Sequence, residues 1–450
     1  MRLVRLWFGS SERVTRLDYV VSGVLLMALK YALDALAIYL SSGQILMPID
    51  FMSPLFATRD RLLGGSAGIG TLLTMGLWAL LFLWIGASMS VRRAIDAGLT
   101  PWIGLLFVFP FLNLLVIALL SFVPTSKTVS TWSKVSPSTE ASIRSALFGV
   151  AAGAAIAFLG IGVSVLAFKE YGLMLFFATP FVMGASAGYV HNARRPRTLS
   201  STVGVAMLSL LVSAGAILLL ALEGALCIAM ASPLAALSAA MGASFGRTIA
   251  KSRASSAGLA SVVVAMPLLM GVGHEPSLDV REVVTRIELD APPERVWPNV
   301  VRFAELSEVP NWVFRLGIAY PVRAVIEGEG VGAVRHCEFS TGSFVEPITA
   351  WEPPSRLSFD VASQPAPMHE WSPYRHVHPP HLDGYLRTVR GEFRLKPLSN
   401  GGTLLEGSTW YMLDLHPAGY WALWSDALIH QIHQRVLRHI GNVTLRATSQ

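Results

Sequence analysis

The chain has 450 residues, of which 53% are hydrophobic and 14% charged, with a formal net charge of +6. Soluble domains carry about 25% charged residues, so an ordinary soluble enzyme, a disordered chain and a disulfide scaffold are excluded. The two cysteines, Cys227 and Cys337, are too few for a cysteine metal cage; Cys227 lies in an apolar run, so no disulfide between them is expected.

The average hides a division. Residues 1–277 hold 19 Lys and Arg against 10 Asp and Glu, whereas residues 278–450 hold 16 against 19 and nine of the eleven histidines. The excess positive charge sits in short loops beside apolar runs. That is a membrane-protein distribution and not a nucleic-acid footprint.

A helix needs about 20 apolar residues to cross a bilayer. Candidate runs are Tyr19–Leu40, Ile69–Ser90, Trp102–Val123, Leu147–Phe168, Gly172–Val190, Leu199–Ala221, Ala225–Gly246 and Ser256–Val272. The first is too long for a cleaved signal peptide. Lys30 and Asp34 interrupt it at i,i+4 spacing, which predicts a neutralised pair facing other helices, with an ion path as the alternative.

Orientation follows from Lys and Arg in the loops. With eight crossings and the N-terminus inside, the inside loops hold seven and the outside loops eleven, against the usual bias. If Trp102–Val123 enters and returns on one side, the inside loops hold fifteen and the outside loops three. Pro110 and Asn113 fit such a broken segment, tolerated where protein buries its backbone. The expectation is a multi-pass protein of the cell (inner) membrane with an extracytoplasmic C-terminal domain.

Three pairs, Gly149/Gly153, Gly184/Gly188 and Gly242/Gly246, each put two glycines on one helix face. Close packing inside one bundle is expected, with a dimer face as the alternative; the oligomeric state stays open. Glu223-Gly224 reads as a tight interfacial turn, or else as the site of a proton-carrying carboxylate.

Arg13-x-x-Arg16-x-x-Tyr19 precedes the first run, and Arg92-Arg93-Ala94-Ile95-Asp96-Ala97-Gly98-Leu99-Thr100-Pro101-Trp102 follows the second. The arginines read as cytoplasmic anchors, Tyr19 and Trp102 as lipid-interface aromatics, and Asp96 as a partner for Arg92 or Arg93. Residues 5–125 resemble the small bacterial inner-membrane proteins of the domain of unknown function 805 family. Ile95 stands where that family has His and Thr100 where it has Ser. The resemblance implies location and no chemistry.

After Pro276 the texture changes. Alternating stretches at Glu282–Leu289, Val322–Glu327, Ala333–Phe339, Phe344–Trp351, Arg356–Val361, Tyr385–Leu395 and Thr403–Leu413 predict strands, separated by Gly, Pro, Asn and Ser clusters. Asp290 is the expected N-cap of a short helix carrying Val296, Trp297, Val300 and Val301. A long helix over about Ala418–Leu445 closes the chain, with Trp424, Leu428, Ile432, Val436 and Ile440 as its apolar stripe.

This order predicts a curved antiparallel sheet wrapped on a long C-terminal helix. With Ile287-Glu288-Leu289-Asp290-Ala291-Pro292-Pro293-Glu294-Arg295-Val296-Trp297, Gly330-Val331-Gly332 and Glu346-Pro347-Ile348, residues 280–446 resemble the START-like (SRPBCC, polyketide cyclase/dehydrase-like) superfamily. The fold class is therefore a multi-span α-helical membrane region followed by an α+β helix-grip (START-like) domain. Expected domains are 1–125, 126–277 (further spans) and 278–450. The resemblance implies a cavity for a hydrophobic molecule, and no more about function.

Histidines are the chemical lead. His376-x-His378-x-x-His381 lies in a Pro-rich insertion, Gln364–Gly384; His336 and Glu338 share one strand face, with Cys337 on the other. A metal site there is conceivable, but no tight ligand motif is present, and exposed histidines on a stiff loop fit as well. No metal ligand and no cofactor are assigned. The ligand-binding candidates are His336, Glu338, His378, His381, Tyr385 and Trp410. Glu338, Glu406, Asp383, His336 and Tyr411 are acid–base candidates with no catalytic role assigned.

The expected function is a membrane-tethered START-like domain that binds a lipid or other hydrophobic small molecule near the bilayer, tethering raising the effective concentration. The alternatives are a cyclase, dehydrase or isomerase using the same cavity, and a non-catalytic interaction module with a filled one. An open apolar pocket of about 300–1,000 Å³ favours binding or catalysis. Titratable side chains converging inside it favour the enzyme.

Overall fold

A computed structural model describes residues 2–8, 13–52, 62–63, 68–100, 103–104, 106–108, 112–126, 137–168, 171–252, 280–303, 305–306, 308–372 and 379–446. The N-terminal helices are α1 (Arg2–Phe8), α2 (Arg16–Ser42), α3 (Pro48–Met52), α4 (Gly68–Asp96), α5 (Leu112–Phe122), α6 (Pro137–Ile161), α7 (Thr179–Asn192), α8 (Leu199–Leu219) and α9 (Ala225–Ser252). Wider π-helical turns continue α6 over Gly162–Phe168 and lead into α7 over Met174–Ala178. Among the described residues, four helices are long and apolar enough to cross a membrane: Arg16–Ser42, Ala141–Val165, Leu199–Leu219 and Ala225–Ser252. The expected run Ser256–Val272 lies outside the described residues.

The run Trp102–Val123 is broken. It holds a 3-10 turn at Leu106–Val108 and the 11-residue α5, and 11 residues rise only about 16 Å against a hydrocarbon core of about 30 Å. Both ends of the run meet the same end of α4. A Cβ on Gly104 would stand 2.3 Å from the Val91 Cα. Arg93 Nε donates to the Leu120 carbonyl at 3.0 Å, and Ser126 N donates to the Asp96 carbonyl at 3.0 Å.

Asp96 pairs with Arg93 at 2.7 Å and also with Arg13, so the two arginine motifs form one buried cluster. Arg92 Nη2 instead donates to the Leu6 carbonyl at 2.7 Å. Tyr19 departs from the expected lipid interface: it is buried, and its hydroxyl shares a 2.8 Å hydrogen bond with Ser90. A phenol with a polar partner inside gains nothing by moving to the headgroups. Lys30 Nζ bonds Asp34 Oδ2 at 2.6 Å, and Trp78 Nε1 donates to the other oxygen at 2.8 Å. The pair is thus neutralised between helices.

The glycine pairs serve packing within the bundle. A Cβ on Gly184 would meet the Ala239 carbonyl oxygen at 2.1 Å, one on Gly188 the Ala243 oxygen at 2.5 Å, and one on Gly246 the Ala185 oxygen at 2.0 Å. Backbones this close between α7 and α9 admit no side chain, which is how small residues bind helices in lipid.

The C-terminal region holds β1 (Val280–Leu289), α10 (Pro293–Val301), α11 (Trp312–Arg315), β2 (Pro321–Glu327), β3 (Val334–Phe339), β4 (Gly342–Glu352), β5 (Arg356–Asp360), β6 (Leu386–Pro397), β7 (Thr403–Leu413) and α12 (Ala418–Arg446). The strands form one antiparallel sheet in the order β1-β7-β6-β5-β4-β3-β2. Register shifts in the β2–β3, β4–β5 and β6–β7 pairs add the local twist that curves a sheet around a helix. Val436, Leu437 and Ile440 of α12 pack with Leu357, Leu395 and Leu405 in one core. This is the helix-grip fold.

Two local expectations differ. Pro292, not Asp290, is the N-cap of α10, because the fixed φ of Pro293 suits the first helical position. Trp424 is 37% exposed, while Trp421, Ser425, His433 and Leu437 are buried. A four-residue step overshoots a 3.6-residue turn, so the stripe drifts around α12.

The grip domain sits against one end of the bundle. Ala225 N donates to the Trp371 carbonyl at 2.7 Å, and His416 N donates to the Tyr171 carbonyl at 3.2 Å. Phe176 and Trp421 meet edge to face with centroids 4.8 Å apart. The arginines gather at the far end: Arg194, Arg195 and Arg197 follow α7, and Arg247 near the end of α9 donates to the Arg197 carbonyl at 2.9 Å.

Candidate functional site

Two adjoining chambers lie between the sheet and α12. The inner one, about 120 Å³, is lined by Arg335, Cys337, Glu346, Phe393, His433 and Leu437 among others. The outer one, also about 120 Å³, is lined on the grip side by Phe339, Phe344, Leu428 and Ile429. Residues 364–368 of the grip domain also line it, and the membrane helices and their loops add Tyr171, Phe176, Cys227 and Met230. Phe339, Phe344, Thr388, Ile429 and Ile432 border both.

The inner chamber holds a buried ion pair. Arg335 and Glu346, 2% and 5% exposed, are hydrogen-bonded directly. The Arg335 guanidinium also stands 4.8 Å from the Phe359 ring centroid and 5.7 Å from that of Phe393. Burial works against the Arg335 charge, but Glu346 beside it keeps the guanidinium charged. Burial pushes the Glu346 carboxyl up despite Arg335. Opposite them, His433 is clamped: its Nδ1 meets Thr285 Oγ1 at 3.0 Å and its Nε2 meets Thr409 Oγ1 at 2.7 Å. Burial, with His430 beside it, lowers its pKa to about 4, so the ring is neutral at pH 7.

The outer chamber borders a second polar cluster at the seam with the membrane helices. Glu223 Oε2, Cys227 Sγ and a ring nitrogen of His381 lie within 4.8 Å of one another. His381 Nδ1 stands 3.2 Å from Glu223 Oε2, and its Nε2 stands 3.7 Å from Glu370 Oε1. Tyr171 donates to Glu223 Oε1 at 2.8 Å. Glu370 accepts from Leu226 N at 3.1 Å and Cys227 N at 3.2 Å, covering the first turn of α9, where a carboxylate is favoured. Burial opposes an imidazolium at His381, yet Cys227, Glu223 and Glu370 around it hold its pKa up at about 12.

Of the residues singled out from sequence, His381 and Tyr385 come together here, each ring about 5 Å from Tyr171, at 5.5 and 5.1 Å between centroids. His376 and His378 lie outside the described residues. His336, Glu338 and Trp410 take the outer face of the sheet and line neither chamber. Glu338 pairs with Arg323 at 2.7 Å, and Trp410 lies under Arg390 at 4.8 Å. On β3 it is the alternate set, Arg335, Cys337 and Phe339, that points inward. Glu406 is held outside by Arg286 and Lys396, both at 2.6 Å, and Asp383 is exposed. Tyr411 is fully buried, donating to Asp426 Oδ1 at 2.6 Å; burial first, then Asp426, raises its pKa to about 12.

Sequence reasoning gave no site role to Arg335, Glu346 or Glu370, and His433 stands out in the sequence only by its three-residue spacing from His430 on the last helix. The inward set on β3 could have been told by its apolar members Ala333, Cys337 and Phe339. Glu370 carries no local signal. Cys227 and Cys337 are both free thiols.

Residues 7–134 match the family model described as Protein of unknown function (DUF805). The buried Arg13–Asp96–Arg93 cluster and Tyr19–Ser90 bond lie inside this DUF805 segment. The grip domain and the membrane wall of the outer chamber lie beyond it.

No curated protein matches the chain. Solved structures that match include a protein from Nitrosospira multiformis, 20% identical, covering 38% of this chain and 100% of its own with a TM-score of 0.23. A Thalictrum norcoclaurine synthase point mutant is 11% identical, covering 39% and 99% with a TM-score of 0.26. The Zhui aromatase/cyclase from Streptomyces is 14% identical, covering 38% and 96% with a TM-score of 0.25. At these scores the helix-grip assignment rests on the strand order and closing helix of this chain itself.

Proposed function

We propose that this protein binds a lipid or other hydrophobic small molecule in the cavity of its grip domain, taken from the bilayer beside it. The observation that carries this reading is the composition of the outer chamber's wall. A soluble carrier closes its cavity with its own loops. Here Tyr171, Phe176, Cys227 and Met230, on or beside membrane helices, join Leu428, Ile429 and residues 364–368 of the grip domain in lining one chamber. An apolar molecule passing along that wall avoids the cost of crossing water, which is about 25 cal/mol for each Å² of apolar surface exposed. The chambers are smaller than the ~300–1,000 Å³ of typical small-molecule pockets, so the occupant is slender or turns Phe339 and Phe344 aside.

The charge distribution supports an extracytoplasmic side and a cell-membrane location. The grip domain packs at the end of the bundle remote from Arg92, Arg93, Arg194, Arg195 and Arg197, and arginine-rich ends face the cytoplasm. Trp102–Val123, both of whose ends meet one end of α4, then returns without crossing.

The test is native mass spectrometry of the full chain released from detergent micelles, for wild type and Leu428→Trp. A co-purified adduct of defined mass in wild type, reduced in the filled variant, is the expected result. An adduct unchanged by Leu428→Trp, or none at all, refutes the reading. The enzymatic reading is favoured by the titratable groups that line both chambers, Arg335, Glu346 and His433 in one and Cys227 and His381 in the other. An adduct whose mass changes on incubation, and does so no longer in Glu346→Gln, would select it.

A further inference from the structure

The seam between the grip domain and the membrane helices brings together three side chains distant in sequence. Glu223 ends the loop before α9, Cys227 lies in its first turn, and His381 sits in the insertion after β5. Their donor atoms lie within 4.8 Å of one another. We propose that Glu223, Cys227 and His381 form a mononuclear zinc site whose fourth position opens toward the outer chamber.

The donor set is a thiolate, an imidazole and a carboxylate, all zinc ligands, with bonds of about 2.3, 2.0 and 2.1 Å. A tetrahedral ion with those bonds places its donors about 3.5 Å apart. The observed separation of 3.2 Å between His381 Nδ1 and Glu223 Oε2 is close to that already. The orphaned atoms point the same way. The His381 side chain is 7% exposed and Glu223 16%, and neither ring nitrogen nor Glu223 Oε2 makes a hydrogen bond. Without an ion, Cys227, Glu223 and Glu370 hold the ring protonated, although neither nitrogen makes a hydrogen bond; a metal ion would take the place of the proton on the coordinating nitrogen. Buried polar atoms without partners are costly, and a shared cation would satisfy His381 Nδ1 and Glu223 Oε2 together.

The surroundings suit an ion. The second Glu223 oxygen is fixed by the Tyr171 hydroxyl at 2.8 Å, leaving Oε2 to the metal. Glu370, 3.7 Å from His381 Nε2, is placed to orient the ring from behind, as carboxylates do for metal-bound histidines. One divalent cation balances the Cys227 thiolate and the Glu223 carboxylate, while the Glu370 carboxylate is met by the Leu226 and Cys227 N–H groups at the start of α9. Cys227 and His381 also line the outer chamber, so a water or the polar end of a ligand there reaches the fourth position. The site stands whether or not the chamber holds a lipid.

The experiment uses the full chain purified in detergent through a tag free of histidine, stripped with chelator and titrated with Zn²⁺ or Co²⁺. Expected is one tightly held zinc ion per chain by elemental analysis, with Co²⁺ giving the near-ultraviolet charge-transfer band of a cobalt–thiolate bond. Cys227→Ser should abolish that band, and His381→Ala should lower zinc affinity by 100-fold or more. Glu223→Gln, closest in shape to the native side chain, should lower it about tenfold or more. Wild-type protein that takes up neither ion, or that shows no thiolate band with Co²⁺, overturns the site without reference to any variant. So does equal binding by wild type and all three variants. Lipid adducts in native mass spectrometry are read separately, so this site and the cavity reading fail independently.

Discussion

Acidification should destabilise the grip domain through His433 in particular. The ring is buried between Thr285 and Thr409, and burial lowers its pKa from the ordinary 6.5 to about 4. A histidine whose folded pKa lies below its unfolded one is protonated first in the unfolded chain. Its contribution is therefore complete above pH 6.5 and is lost as pH falls toward 4. The whole difference corresponds to about 3 kcal/mol, and between pH 7.5 and pH 5 the loss is about 2 kcal/mol. For a domain of this size that lowers Tm by roughly 4–8 °C. Thermal unfolding of the full chain in detergent, followed by tryptophan fluorescence, gives Tm at both pH values for wild type and His433→Gln. Glutamine keeps a donor and an acceptor but does not titrate. The variant should start lower at pH 7.5, by about 1 kcal/mol for imperfect hydrogen bonds, and, losing nothing at this position, should cross wild type and stand about 1 kcal/mol above it at pH 5. Because other groups titrate in both proteins, the difference isolates His433. Parallel falls in Tm, with no crossing, would refute the reasoning.

Two more predictions follow from buried contacts and from charge placement. Glu346→Ala leaves the Arg335 guanidinium unpaired among phenylalanines and should cost about 3–5 kcal/mol in chemical denaturation, whereas Arg335→Met with Glu346→Leu should fall within about 1 kcal/mol of wild type; equal losses would show that the pair is not the unit. Alkaline phosphatase fused after Gln450 should be active and green fluorescent protein fused there dark in a bacterial host; a bright fluorescent fusion with inactive phosphatase would place the grip domain in the cytoplasm.

Much of the architecture is local and was legible in the sequence. Strand periodicity placed all seven strands within a few residues, because alternating burial imposes a period of two on each segment independently. The same holds for α12 and for the Lys30–Asp34 pair, whose partners lie one helical turn apart. Asn113 lies in the first turn of α5, and Pro110 lies outside the described residues.

The site was not legible, since its parts meet only after folding. Period two shows that His336 and Glu338 share a face of β3, and the apolar Ala333, Cys337 and Phe339 mark the other face as inward, but not what that face meets. The curvature of the sheet around α12 decides that, and it brings Arg335 and Cys337 to the cavity. Glu223 and Cys227 belong by sequence to a membrane loop and helix, His381 and Glu370 to an insertion between strands. No periodicity couples them, and only the docking of the grip domain on the bundle end, through Trp371, Tyr171 and Trp421, sets them around one point. The sequence by itself determined the elements and the division between membrane and grip regions, because hydrophobic period and charge density are properties of neighbours along the chain. The tertiary structure alone decided the chambers and the seam cluster, because burial and donor convergence depend on packing between segments far apart in sequence.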